Sequence, residues 1–241
     1  MAADSNAARP DDRSPRLLVR ALRIALPALL GVCLLWLGMP RVMGAFALLP
    51  GDPYLEAEPG VLEAAQIEAL LRSRERAARY FDAPAIGAEI GQAELYAAES
   101  APADSPERRR HVDRAVEAFR RGLAADPRDT FAWARLAYAL FLRDGVGAAA
   151  VDAWRMSILT APSESRLVLW RAEFGAAGLR QLDRQDQQRV AQQMRYAWRS
   201  DRAGLTRMAK ARGLQLVLRR VLSAEPDAAE LNWWFSRPED G

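Results

Sequence analysis

Lysine, histidine and cysteine occur once each in this 241-residue chain, as Lys210, His111 and Cys33, and each shortage closes off a class of chemistry. With Cys33 inside an apolar stretch, no disulfide, zinc cluster or thiol catalyst can be assembled in the rest of one chain. His111 follows Arg108-Arg109-Arg110, with no serine or cysteine at a nucleophile's spacing, so no catalytic role is expected for it. One histidine also leaves the usual transition-metal ligand sets unfilled. Acidic loops with glycines for a hard cation, and glycine-rich loops for a phosphate, are both missing, so no metal and no cofactor are expected. β-Branched residues are sparse and no run alternates with period two, while half the residues are apolar and Ala and Leu are abundant. The fold class is therefore all-α.

Because lysine is nearly absent, 33 of the 34 basic residues are arginine, which points to a GC-rich bacterial genome rather than to a binding role. The net charge of +3 does not make a nucleic-acid face. Six arginines stand against three aspartates before Pro50, and from Pro50 onward 28 basic residues balance 28 acidic ones. Such an excess is expected beside a membrane, and no nucleic-acid partner follows from it. The rest is neutral but polarised: residues 52–107 hold 12 acidic and 4 basic residues, residues 184–220 hold 10 basic and 2 acidic ones.

Taken in order, residues 1–16 form a polar tail with Pro10 and Pro15 that reads as disordered. Residues 17–49 carry a 17-residue uncharged run from Ile24 to Pro40 with apolar flanks broken only by Arg20, Arg23 and Arg41. A membrane-spanning helix needs about 20 mainly apolar residues. Arginines precede the run and Asp52, Glu56 and Glu58 follow it, so the positive-inside rule puts the tail in the cytoplasm and the remainder outside. A single-pass anchor in a bacterial inner membrane, with a periplasmic C-terminal domain, is the favoured expectation. A signal peptide cleaved at Ala45-Phe46-Ala47 and a buried core helix are the alternatives.

Residues 50–60, with three prolines and two glycines, read as a linker, and residues 61–241 as one helical domain. Ile67, Leu70, Leu71, Ala78 and Phe81 make an apolar stripe that Arg74 interrupts. Pro84 closes or kinks that helix, and residues 86–98 form the next. Ser105 with Pro106 opens a helix over 106–124, Asp129 or Thr130 caps the following one, and Gly145-Val146-Gly147 turns the hairpin. Further helices are expected over 187–198, 202–211 and 213–222. Asp227-x-x-Glu230 resembles a capping box ahead of Trp233, Trp234 and Phe235.

The strongest internal signal is a pattern written twice. Ala115, Phe119, Gly122 and Pro127 recur 35 residues later as Ala150, Trp154, Ser157 and Pro162. Between the copies Trp133, Leu136, Ala137 and Leu140 mark one face of a helix, and Leu167, Trp170 and Phe174 begin another at the expected place. A small residue lets two helices approach while the aromatic a turn away fills the gap beyond. This resembles the tetratricopeptide repeat, a helix hairpin of about 34 residues. The resemblance covers about residues 108–174 and departs from the family in Leu140, at a tyrosine-type position, and in a one-residue excess over the usual period. It implies a stack of hairpins with degenerate terminal helices and a groove for a peptide, helix or polymer.

Outside the repeats, Arg195, Arg199 and Arg202 fall on one helix face beside Tyr196 and Trp198. Either acids elsewhere in the fold balance them, or they form a patch for an anionic partner such as an acidic glycan. Likewise Trp233 to Phe235 either cap the last helix or offer a sugar platform, while Trp133, Trp154 and Trp170 read as core. The general plan also resembles accessory proteins of bacterial exopolysaccharide and O-antigen assembly, with Ile158-Leu159-Thr160-Ala161-Pro162 leading into a Trp/Arg helix. The leading expectation is a non-enzymatic, membrane-anchored adaptor binding envelope proteins through its groove. An adaptor for envelope protein maturation is the alternative, and a glycan-active enzyme using Glu94, Glu117 or Asp152 a more remote one.

Overall fold

The computed structural model describes residues 14–55, 57, 61–80 and 83–237. Most of the expected N-terminal tail, part of the linker and Phe81 lie outside these. The described chain is all-α: α1 (Ser14–Leu48), α2 (Ala64–Ala78), α3 (Pro84–Ser100), α4 (Pro106–Ala125), α5 (Thr130–Asp144), α6 (Ala148–Thr160), α7 (Ser165–Ala177), α8 (Arg184–Ser200), α9 (Arg202–Ala211), α10 (Gln215–Leu222) and α11 (Leu231–Ser236). Single 3-10 turns lie at Asp52–Tyr54 and Ala228–Glu230.

Helix α1 is long and apolar enough to cross a membrane, and the buried-core alternative does not hold. Of Ala25–Leu48 only 6 % is buried, and Leu26, Leu30, Leu35 and Trp36 all stand out from the chain. Only its end docks: Ala47 is buried with Ala77 of α2 and Ile86 of α3.

The domain is a succession of hairpins in which α3 packs on α4, α5 on α6 and α7 on α8, with α4 and α5 joining the first two. Local chemistry sets the boundaries. The Ser105 hydroxyl accepts from the Arg108 amide with Pro106 following, and the Asp129 carboxylate accepts from the Ala132 amide. Thr130 does not cap α5; its hydroxyl donates to the Ser157 carbonyl. Gly145 takes φ +75 in the turn between α5 and α6, a conformation costly for any residue with a Cβ. Two expected boundaries shift. Pro84 opens α3 rather than closing α2, and α8 starts at Arg184 because Asp183 caps it by accepting from the Asp186 amide.

The twice-written pattern works as its residue types suggest. Ala115, Phe119, Leu136, Ala137, Ala150, Trp154 and Ser157 are buried in one core cluster or against it. Between α3 and α4 the backbones meet at glycine: a Cβ on Gly87 would lie 2.9 Å from the Gly122 nitrogen, and one on Gly91 would lie 2.8 Å from the Phe119 ring. In the second copy Trp154, fully buried, donates its indole N–H to the Arg171 carbonyl over 3.0 Å, and its ring lies against Gly175. Trp133 and Trp170 pack on the core half-buried rather than within it. Pro127 and Pro162 are exposed, and their carbonyls accept from Trp133 Nε1 and Gln193 Nε2.

Ser157 does more than stand in for a glycine. Its hydroxyl and carbonyl, with the Ala161 carbonyl and the Thr130 hydroxyl, accept from the fully buried Arg171 guanidinium. The positive charge thus sits at the negative end of the α6 dipole. Burial, only partly offset by the Glu164 carboxylate, pushes the Arg171 pKa down to about 10.

Arg74, an apparent flaw in the α2 stripe, is the hub of the first three helices. Its side chain is 1 % exposed and donates to Glu89 Oε2 of α3 (2.9 Å), to Asp52 Oδ1 (2.8 Å), to Ser73 Oγ (3.1 Å) and to the Leu48 carbonyl that ends α1 (2.8 Å). Gly51 is buried in the same knot; a Cβ there would run into Ser73 Oγ and come within 3.0 Å of Leu70 Cα. The segment expected to be a linker is thus folded onto the domain over residues 51–55 and at Ala57. Farther on, Gln92 Nε2 donates to the Leu55 carbonyl (2.6 Å) and the Tyr96 hydroxyl to the Ala57 carbonyl (2.7 Å).

Candidate functional site

The same Gln92 and Tyr96 open onto a concavity of about 690 Å³ lined by α3, α5 and the start of α7. Helical period places its walls. On α3, Glu89, Gln92, Tyr96 and Glu99 follow one another at three or four residues, and on α5 Phe131, Arg135 and Tyr138 do the same. Arg166 of α7 and Asp129 stand at one end, and Leu55 and Ala57 form the rim on the α1 side. Ala85, Ala88, Leu95 and Phe131 add apolar surface to its lining.

Its charges are held apart. The Arg166 guanidinium lies 4.4 Å from the Phe131 ring centroid and that of Arg135 6.0 Å from it, a cation–π arrangement along one edge. Burial pulls the Arg135 pKa down, with Tyr96 and Asp129 opposing. Farther along, the Tyr138 hydroxyl donates to Glu99 Oε1 over 3.2 Å. The second oxygen, Oε2, is buried with no partner among the described residues. Burial raises the Glu99 carboxyl above its ordinary value, and burial together with that carboxylate pushes the Tyr138 phenol up to about 12.

None of these groove residues was named as part of a site in the sequence, where Asp129 figured only as a helix cap, yet a signal was present. Phe131, Arg135 and Tyr138 run at i, i+4 and i+7 beside the core stripe of Trp133, Leu136, Ala137 and Leu140. A helix with two such stripes has two partners.

The arginine face of α8 carries acidic partners from the end of the chain. Arg195, Tyr196 and Arg199 do meet, lining a shallow recess of about 450 Å³ with Gln188 and Gln192. Glu225 pairs with Arg195 (3.8 Å) and Arg199 (3.0 Å), while Arg202 pairs with Asp227 and Glu230. Trp198 is fully buried; its indole donates to Asp227 Oδ1 (2.8 Å), and the Arg202 guanidinium lies 4.8 Å from its ring. Asp227 and Glu230 therefore form no capping box, because both carboxylates face Arg202 of α9, and Asp227 also accepts from Trp198 of α8.

The three carboxylates considered for glycan chemistry do not converge. Glu94 is buried against His111 Nδ1 (2.6 Å), Glu117 is exposed and Asp152 pairs with Arg155. At the chain's end Trp233 and Trp234 meet edge to face at 5.1 Å, with Arg237 over both rings. Among the described residues no three His, Cys, Asp or Glu side chains cluster as metal ligands. No protein-family model matches the chain, and no curated protein matches it.

Proposed function

We propose that the chain is a non-enzymatic adaptor of a bacterial cell envelope, anchored by α1, whose tetratricopeptide-like groove holds a polypeptide segment of another envelope component. The observation that carries the reading is the joint between anchor and groove. One side chain, Arg74, reaches the last carbonyl of α1 and the groove residue Glu89, and the segment after α1 supplies the groove's rim. A segment discarded after cleavage has no need of such a joint, and Ala47, at the end of the possible cleavage site, is packed against Ala77 and Ile86.

The groove's lining suits an extended chain, with apolar side chains interspersed among polar groups from both α3 and α5. An acidic glycan suits it less well, since Glu89, Glu99 and Asp129 would face it. Exopolysaccharide or O-antigen assembly is the pathway we assign to the adaptor, with the domain outside the cytoplasmic membrane.

A photo-crosslinking residue at Gln92 in the full-length chain, in cells, tests the reading. The expected product is one envelope protein, lost when the groove is blocked by Ala88→Trp, and deletion of the chain is expected to change the amount or length of surface polysaccharide. A cross-link confined to cytoplasmic proteins would reverse the topology, and unchanged polysaccharide would remove the pathway.

A further inference from the structure

Helix α1 leaves the domain in a fixed direction. Going back along the chain, Gly51 meets Leu70 and Ser73, Leu48 meets Arg74, and Ala47 meets Ala77, so α1 and α2 run antiparallel. Gly44, a turn nearer the uncharged run, is buried as well. The C-terminal end of α2 therefore points the way α1 departs.

Depth follows from helical rise. The uncharged run Ile24–Pro40 has 17 residues, about 25 Å of helix against a hydrocarbon core of about 30 Å, and Arg41 closes it. In a spanning α1, Arg41 marks the level at which hydrocarbon gives way to headgroups. It lies six residues, about 9 Å, back from Ala47, while Arg79 lies two residues, about 3 Å, past Ala77 in the same direction. Arg79 thus stands about 6 Å above Arg41, within a headgroup layer about 5–7 Å deep.

The following helices return to the same edge. Helix α3 begins there, and α4 runs back to it antiparallel, since Gly91 meets Phe119 and Gly87 meets Gly122. The edge collects Arg79 and Tyr80 after α2, and Arg121 and Arg128 at the end of α4, all exposed. Among the described residues no carboxylate pairs with Arg41, Arg79, Arg121 or Arg128; Arg41 donates to the Leu37 carbonyl, and Asp126 accepts only from the Arg128 amide. A guanidinium fork matches a phosphate group, and tyrosine favours the membrane–water interface.

Building on the reading of α1 as an anchor, we propose that this edge rests on the bilayer, where Arg41, Arg79, Arg121 and Arg128 bind the phosphates of anionic phospholipid headgroups beside Tyr80. The groove is thereby oriented. Helices α3 and α5 both begin at this edge, so Ala85 and Asp129 mark the groove's bilayer end and Glu99 and Tyr138 its far end.

The test places single nitroxide labels on the full-length chain in nanodiscs of phosphatidylcholine and phosphatidylglycerol with a nickel-chelating lipid. In a Cys33→Ser background, labels at the exposed sites Ala78→Cys and Ala125→Cys report the proposed edge, and Ala103→Cys the opposite one. The 17 and 20 residues of α3 and α4 separate the edges by about 25–30 Å. Headgroup nickel is expected to relax the labels at 78 and 125 several-fold more than that at 103. Arg79→Glu with Arg128→Glu, or phosphatidylcholine alone, is expected to reduce the relaxation at 125. Equal relaxation at the three sites, or none of that charge dependence, overturns the inference. A label on the native Cys33 separates the two readings. If oxygen dissolved in the hydrocarbon reaches it and an aqueous nickel chelate does not, the anchor stands whatever the edge shows. If the aqueous chelate reaches it, the anchor and this inference fall together.

Discussion

Arg74 donates a 2.8 Å hydrogen bond to the carbonyl of Leu48, so the last turn of α1 is closed by a side chain that belongs to α2. The last four carbonyls of a helix have no partner within it, and a cation there also complements the dipole. The same guanidinium holds Asp52 and Glu89.

Removing one partner of a buried ion pair leaves the others uncompensated, typically at about 3–5 kcal/mol. Arg74→Met is expected to destabilise the chain by about 3 kcal/mol and to speed proteolysis between residues 49 and 60. Urea unfolding and limited digestion of the protein in nanodiscs measure these effects, and an unchanged digestion rate would show the joint to be dispensable. Gly51→Ala is expected to give a milder form of the same defect.

The approach of α3 to α4 admits no added carbon at Gly87, where the obstacle is the Gly122 backbone rather than a movable side chain. Gly87→Ala, ordinarily a helix-favouring change, is expected to cost about 1–3 kcal/mol, read as a lower melting temperature. A rise in melting temperature would mean that the helices stand farther apart.

Glu99 gives a dependence on pH whose sign follows from its raised pKa. An acid that holds its proton more tightly when folded penalises the folded state once it ionises. That penalty is absent below the unfolded pKa of about 4.3 and grows as pH rises through the folded value. Glu99→Gln is expected to be more stable than the native chain at neutral pH and equal to it below about pH 4. Urea midpoints measured across that range check this, and a constant difference would assign the effect to packing.

Glu225 holds Arg195 and Arg199. Glu225→Gln is expected to release both and to lengthen retention on a heparin column at low salt, while leaving groove binding untouched. Equal retention would mean that the pairs contribute no screening, as is often true of exposed ion pairs.

The helices were legible because each buries a stripe, and a stripe is written at short range in one stretch of sequence. Ser105, Asp129 and the Ala-Phe-Gly spacing act within a few residues of themselves. The groove is a meeting of stripes from α3 and α5 some forty residues apart, and nothing within either stretch alone announces it. Arg74 was read as a defect for the same reason, since Asp52 and Glu89 lie 22 and 15 residues away. On α8 the sequence left open whether acids elsewhere balance Arg195 and Arg199, because their partner Glu225 comes after two further helices.

Six residues lie between the end of α1 at Leu48 and Leu55 on the groove's lining, a reach of at most about 25 Å even if drawn straight. In a chain anchored as proposed, the groove cannot search the compartment and sweeps only a thin shell over the bilayer. A partner embedded in the same bilayer, with its recognised segment close to the surface, is confined to that shell as well. Its effective concentration can then reach the millimolar range, where a contact too weak to detect between free molecules still keeps the groove filled.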